Sequence, residues 1–281
     1  MVPQVLVPLS ADLAPTGRTG AVVGVLQAGL LGGILLARAF GGVLGDWLGW
    51  RGPYLVAGGM CALLAVLLAR RLPARAPRTT AADPLAPLRL LVRHPGLRRS
   101  GLYQALLFGG FSAAWTATAP LLTDDEHGWP TSILGLVAAV GAVGVLVAPV
   151  AGRWTDRVGP EKVGLVCFTG AVASAAILVS GASAGVAGLV GLMVGLLVLD
   201  VSVQSNQVAN QHRVFALDRA RRSGLNSAYM TCTFLGGAVG SWLGVLAQSH
   251  FGWWAVCALV ACAGLTAGVR HVLRRTPVTT L

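Results

Sequence analysis

Long apolar runs separated by short polar segments are the main feature of this sequence. A transmembrane helix needs about 20 mostly apolar residues. Because backbone amides have no water partners in hydrocarbon, such runs are expected to be helical. A short apolar stub, residues 2–8, precedes the first of them. The pattern predicts an all-α, polytopic membrane protein with the stub and about eight full transmembrane helices, at residues 20–44, 53–69, 101–122, 131–151, 163–182, 185–208, 225–248 and 252–270.

The composition agrees with a protein dissolved in lipid. Hydrophobic residues make up 55% of the chain and charged residues 11%, whereas charged residues form about a quarter of a typical soluble domain. The net charge of +11 does not indicate a nucleic-acid partner, because the basic residues are spread between the apolar runs instead of forming one basic patch. The five cysteines stand singly inside predicted spans, so neither a metal site nor a cofactor is predicted.

The basic residues predict the orientation. All Lys and Arg residues except Arg38 and Arg51 lie on one side of the predicted spans, and such residues are enriched in cytoplasmic loops. We therefore expect a plasma (inner) membrane protein whose C-terminus is cytoplasmic. The longest gap between spans, residues 73–100, is rich in Pro and Arg and is predicted to be a cytoplasmic linker between residues 1–72 and residues 101–281.

A short glycine-bounded motif follows the fourth predicted span. It is Gly152-Arg-Trp-Thr-Asp156-Arg157-Val-Gly159. Glycines permit a tight turn, and an Asp beside an Arg can form a charge-assisted latch to a neighbouring helix. The spacing resembles the G-x-x-x-D-R-x-G loop of the major facilitator superfamily, found between helices 2 and 3 and between helices 8 and 9. We expect a cytoplasmic gating loop here, and the alternative is an ordinary solvated turn.

Two sets of glycines extend this comparison. Gly20, Gly29 and Gly33 resemble the opening of the helix 5 pattern in the proton-coupled antiporters of the same superfamily. The resemblance implies a chain that runs from the end of helix 4 through helices 5–12 and lacks helices 1–3. Small residues at this spacing also allow close helix packing in any membrane protein. The same packing role is predicted for the ladder Gly236, Gly240 and Gly244 in the seventh span.

Polar side chains inside the spans are the candidate transport residues. Asp200 lies in the sixth span, and Gln204 and Gln207 follow on one helical face. An ionisable residue at membrane depth indicates function, so Asp200 is the candidate for proton coupling; the alternative is a structural contact with a neighbouring helix. Gln104 and Trp115 share a stripe of the third span. With Gln204 and Gln207 they are candidates for a solute cavity, and the alternative is interhelical core.

The resemblance implies transport by two six-helix bundles that rock about a cavity near the bilayer midplane. We expect proton-coupled efflux, by antiport, of a sugar-like or amphiphilic drug-like compound. The expected partners are this solute, protons and the lipid bilayer. Two alternatives remain: a transport-incompetent remnant or misplaced start of a longer transporter, and an intramembrane enzyme. The enzyme is disfavoured because all five histidines fall in loops or at span ends, away from Asp200.

Overall fold

The computed structural model describes residues 18–30, 32–33, 51–71, 86–123, 141, 143–218 and 221–273, together with residues 7, 10, 14, 129, 133 and 137. Within these residues the regular structure is helical, without strands, and the all-α prediction is confirmed. The helices are α1 (Thr19–Leu30), α2 (Gly52–Arg71), α3 (Ala86–Arg93), α4 (Pro95–Thr123), α5 (Val143–Val158), α6 (Pro160–Leu178), α7 (Val186–Leu217), α8 (Arg222–Phe251) and α9 (Trp253–Leu273).

Six of the described helices are long and apolar enough to cross a membrane. They are α2, α4, α6 with the 3₁₀ turn that continues it to Ala182, α7, α8 and α9. The described parts of α1 and α5 are shorter. The chain is thus a multi-pass membrane protein, while the count of eight full spans stays a prediction. Arg38 lies outside the described residues.

The chain forms two compact units. The smaller, Leu30–Pro84, contains α2, whose apolar side chains such as Leu55 and Met60 are exposed. A helix that is apolar around its circumference suits lipid or another helix. The larger unit consists of Met1–Gly29 and Leu85–Leu281 and holds the remaining helices.

The segment predicted as a linker is partly helical. Residues 86–93 form α3, and α4 begins at Pro95 instead of near residue 101. Leu90 and Leu97 are buried in a core cluster beside Tyr229. In this segment apolar residues alternate with arginines. They form the amphipathic helix α3 and the basic first turns of α4, which a search for long apolar runs does not detect.

Contact between α4 and α8 organises the larger unit. A Cβ added to Gly109 would lie 2.9 Å from the carbonyl oxygen of Gly236, and one added to Gly244 would lie 2.6 Å from the Cα of Ala113. The absence of side chains therefore lets the two backbones touch. Helices α5 and α7 terminate, and α6 begins, on the same side of this unit. We call this side the basic end, because arginines such as Arg213 cluster there.

Candidate functional site

The structure corrects the loop predicted at Asp156. Helix α5 continues to Val158, so Gly152, Asp156 and Arg157 are helical and only Gly159 makes the turn, with φ of +85°. The intervening side chains are compatible with a helix, and Thr155 donates its hydroxyl hydrogen to the carbonyl of Ala151 within it. The helix ends at the residue that reaches a positive φ without steric cost.

Asp156 caps the first turn of α1. Its Oδ1 accepts a hydrogen bond of 2.8 Å from the backbone N–H of Gly20, and its Oδ2 accepts one of 2.8 Å from Ala21. The first N–H groups of a helix have no acceptor within the helix, and they form the positive end of its dipole. The carboxylate therefore joins α5 to α1 by two charge-assisted hydrogen bonds. We call this contact the α1 latch.

Two glycines bring the latch together. A Cβ on Gly20 would lie 2.6 Å from Asp156 Oδ1 and 2.7 Å from the carbonyl oxygen of Gly152. Gly152 in turn faces the backbone of Gly20 and Ala21. Larger residues at either position would separate the helices and remove the carboxylate from hydrogen-bonding range.

The residue beside Asp156 in space is a histidine rather than the neighbouring arginine. His212 of α7 places Nε2 at 3.6 Å from Asp156 Oδ1. Arg157 is exposed and lines a cleft of about 950 Å³ with Arg18 and Arg153. His212 was not predicted from the sequence, because it lies more than 50 positions from the motif and carries no motif of its own.

Polar side chains of α7 meet α4 inside the bundle. Asp200 lies near the middle of α7 and is 2% exposed, with Oδ1 at 3.5 Å from Gln204 Nε2. Asn206 donates a 2.8 Å hydrogen bond to Gln104 Oε1, while Gln104 Nε2 lies 3.5 Å from Gln207 Oε1. The structure thus pairs Asp200 with Gln204 and Gln104 with Gln207.

Several polar atoms of α7 are buried without a hydrogen-bond partner among the described residues. Helix α7 runs to Leu217, beyond the predicted end near residue 208, and carries the whole polar stripe. A buried polar group without a partner costs about 1–3 kcal/mol. Water or a solute would satisfy these atoms, which are Asp200 Oδ2, Gln204 Oε1, Asn206 Oδ1, Asn210 Nδ2 and Gln211 Oε1.

Trp115 lies apart from these amides. It is about three turns from Gln104 along α4, and its ring centroid is 6.0 Å from that of Phe111. Phe111 in turn stacks on Phe108 at 5.7 Å. Trp115 and Gln104 therefore lie at different depths of α4, Trp115 in an aromatic group and Gln104 beside the amides of α7.

A second charged cluster at the basic end was not predicted. Glu161, at the start of α6, accepts a 2.5 Å hydrogen bond from Arg99 Nη2. Its carboxylate lies 3.2 Å from Arg213 Nε and 3.4 Å from His271 Nε2. One carboxylate therefore links α4, α6, α7 and α9. Among the described residues, no group of His, Cys, Asp and Glu could hold a metal ion.

The predicted packing glycines differ in their surroundings. Gly236 and Gly240 lie against the backbone of α4, and Gly20 lies against α5. A Cβ added to Gly29 or Gly33 meets no heavy atom within 4 Å among the described residues. The packing role of these last two glycines stays a prediction.

The sequence matches curated transporters over nearly all of its length. It is 35% identical over 278 residues to an uncharacterized transporter, YgaY, of Escherichia coli O157:H7, covering 97% of this chain and 68% of that protein. It is 36% identical over 274 residues to a probable transporter, SCO4007, of Streptomyces coelicolor, covering 95% and 62%. The chain therefore spans about two thirds of the length of these relatives.

Shorter matches cover 53% of the chain and 38% of each relative. A probable sugar efflux transporter of Helicobacter acinonychis is 27% identical over 150 residues, and a chloramphenicol resistance protein of Streptomyces lividans is 32% identical over 155.

The fold also matches solved structures. The transporter FucP in its outward conformation has a TM-score of 0.67 at 17% identity, over 98% of this chain and 73% of FucP. The family model of the Major Facilitator Superfamily matches residues 1–217. The chain therefore belongs to the Major Facilitator Superfamily, a family of membrane transporters rather than enzymes.

Proposed function

We propose that this chain takes part in proton-coupled efflux of a small solute across the plasma membrane, with Asp200 as the proton-coupling residue. The observation that carries the proposal is the position of this carboxylate. It is buried near the middle of a membrane-spanning helix, and Oδ2 has no hydrogen-bond partner among the described residues. No Lys, Arg or His of the described chain forms an ion pair with it.

Proton binding at Asp200 provides a simple coupling step. An unpaired carboxylate is costly to bury as an anion, and neutralisation by a proton removes that cost. The protonated form is then compatible with the closed arrangement, and the ionised form favours an arrangement in which water reaches Asp200. A proton that enters from one side and leaves on the other can therefore drive the exchange between two conformations.

The α1 latch is proposed as the gate at the basic end. Asp156 binds the start of α1, and Val23 of α1 is fully buried beside Phe215 and Tyr229. In this proposal, these contacts close the transport path at this end of the larger unit. We assign the basic end to the cytoplasmic side, because Lys and Arg are enriched on that side of membrane proteins. The arrangement is then closed toward the cytoplasm, and opening requires the latch to break.

The solute is proposed to be a sugar-like or amphiphilic drug-like compound. The names of the sugar efflux and chloramphenicol resistance relatives support this class. The candidate cavity residues are also suited to it, since Trp115 offers an aromatic surface and Gln104, Gln204 and Gln207 offer hydrogen bonds. In this arrangement the three glutamines are buried, so contact with solute requires the helices around them to open.

Transport in proteoliposomes tests the proposal. The chain is reconstituted with an imposed pH gradient, and uptake of radiolabelled sugars and chloramphenicol is compared for the parent, Asp200→Asn and Asp218→Asn. Asp218 is the matched control, because this carboxylate lies 3.8 Å from Arg221 at the end of α7. We expect Asp200→Asn to abolish gradient-driven uptake but to retain exchange of labelled for unlabelled solute. Unchanged gradient-driven uptake, or equal loss of both activities, would contradict a coupling role.

A further inference from the structure

The larger unit carries an apolar groove that the proposed transport path does not use. Helices α4, α8 and α9 enclose about 690 Å³, a volume in the range of sites for small ligands. The side chains at its outer edge, such as Leu235 and Val239, are apolar and exposed, so the open side of the groove is suited to lipid. Its walls are mainly small residues, including Gly101, Ala105, Gly109, Gly236, Gly240 and Ala263.

The length of the groove fits an acyl chain. Its lining on α4 extends from Arg98 to Ala113, which corresponds to about 22 Å at the rise of an α-helix. One leaflet of hydrocarbon is roughly 15 Å thick, half of a bilayer core of about 30 Å. The groove can therefore reach from the headgroup level to near the bilayer midplane. This long apolar shape suits an extended chain better than a compact polar solute.

The mouth of the groove is positively charged. Arg98 lines it at the basic end, is exposed, and forms no ion pair with the described part of the chain. On α9, Thr266 lines the groove, and Arg270 lies one turn further toward the basic end on the same face. An apolar groove that ends at arginines is complementary to a lipid with an anionic headgroup, since arginine binds phosphate oxygens strongly.

Helix α3, which lies beside this mouth, has the composition of a helix at a membrane surface. Leu91 of α3 lines the groove. Leu88 and Val92, which are one turn apart from each other, are exposed on a neighbouring face of the same helix. Arg89 and Arg93 are exposed on the same short helix. Exposed apolar residues beside arginines are typical of a helix that lies in the headgroup layer. Arg98 lies in the first turn of α4, close to the end of α3, where a lipid phosphate would lie if α3 lies in the headgroup layer.

We propose that this groove binds one anionic glycerophospholipid, with an acyl chain between α4, α8 and α9 and its phosphate bound by Arg98. The site is separate from Asp200 and from the α1 latch, so it does not depend on the proposed transport function.

Native mass spectrometry of the purified chain tests the charge requirement. The chain is mixed with equal amounts of dioleoyl phosphatidylglycerol and dioleoyl phosphatidylcholine, and the retained lipids are counted. We expect the parent to retain phosphatidylglycerol preferentially. In Arg98→Gln this preference should fall about fivefold, which is the effect of one arginine near an anionic headgroup. Arg153→Gln is the matched control, since Arg153 is exposed at the same end but lines another cleft. Equal retention of the two lipids, or equal losses in both variants, would overturn the proposal.

Filling the groove tests its position. Thr266→Trp places a large ring in the groove and should remove the retained lipid. This variant can also disturb folding, so a second experiment fills the groove after folding. The purified Cys61→Ser protein is modified with a bulky maleimide at Cys262, which is exposed and lines the groove. Loss of phosphatidylglycerol on modification supports the site. Lipid retention after full modification, or a dimer mass in place of the lipid adduct, refutes it.

Discussion

The α1 latch makes a quantitative prediction about the substitution Asp156→Asn. Asparagine keeps the shape of the side chain and one acceptor oxygen, so it preserves one of the two hydrogen bonds to α1. It loses the second bond, worth about 1.5–3 kcal/mol for a charged acceptor, and the favourable interaction of a carboxylate with the helix dipole, about 0.3–1 kcal/mol. After rearrangement of the amide, we expect the closed basic end to lose about 2 kcal/mol, or roughly 30-fold in its population relative to the open one.

Thiol labelling at Val23 measures this shift. Val23 is fully buried on α1 beside Phe215, and Val23→Cys is slightly smaller, so it should fit the closed arrangement. With the five native cysteines replaced, the rate of maleimide labelling reports how often the basic end opens. Under a fast opening equilibrium, we expect Asp156→Asn to raise this rate about 30-fold.

The control removes a different carboxylate at the same end of the bundle. Asp218→Asn changes the net charge equally, and its carboxylate lies 3.8 Å from Arg221 at the end of α7, so its labelling rate should equal that of the parent. A labelling rate in Asp156→Asn that matches Asp218→Asn would show that the latch does not hold the end closed. The melting temperatures of the parent and the two variants should be equal, which would show that the labelling rate does not report unfolding.

Two further predictions concern packing. Glu161→Gln should leave Arg213, which is 8% exposed, without its carboxylate partner. Because Glu161 itself is 45% exposed, we expect a loss of about 1–2 kcal/mol in the free energy of unfolding, below the cost of breaking a fully buried pair. The loss should appear as a lower melting temperature in detergent, while Asp218→Asn should leave the melting temperature unchanged. Gly240→Ala should destabilise the bundle by about 1–3 kcal/mol, because the new Cβ meets the backbone of Gly109. Gly268→Ala is the control and should not destabilise it, since its Cβ would make an ordinary 3.6 Å contact. Equal melting temperatures of the two variants would contradict the packing argument.

The sequence predicts the helical class and the family because both depend on local or nearly local patterns. Apolar runs of about 20 residues indicate spans whatever their partners, and the motif from Gly152 to Gly159 lies within one short segment. The same patterns leave the helix ends undetermined. Helix α7 continues to Leu217 because polar residues such as Asn210 are buried against other helices, and a hydropathy window treats them as a loop.

The partners of the charged residues could not be predicted, since they join distant parts of the chain. Asp156 binds the backbone of Gly20 and Ala21 across more than 130 positions, and backbone N–H groups carry no sequence signal. Glu161 meets Arg99 and Arg213 only because α4, α6 and α7 converge at the basic end. Residue types identified which side chains were unusual, and packing decided what they contact.

In the proposed transport cycle, the buried polar atoms of α7 and the α1 latch act in opposite directions on one equilibrium. In the arrangement proposed to be closed, atoms such as Asp200 Oδ2 and Gln211 Oε1 have no partners among the described residues, at a cost of about 1–3 kcal/mol each, and hydration on opening would recover that energy. The hydrogen bonds of Asp156 and the burial of Val23 favour closure. A transporter requires end states within a few kcal/mol of each other, so that a solute or proton can change their populations. In this proposal an entirely apolar α7 would favour the closed end, and loss of Asp156 would favour the open one.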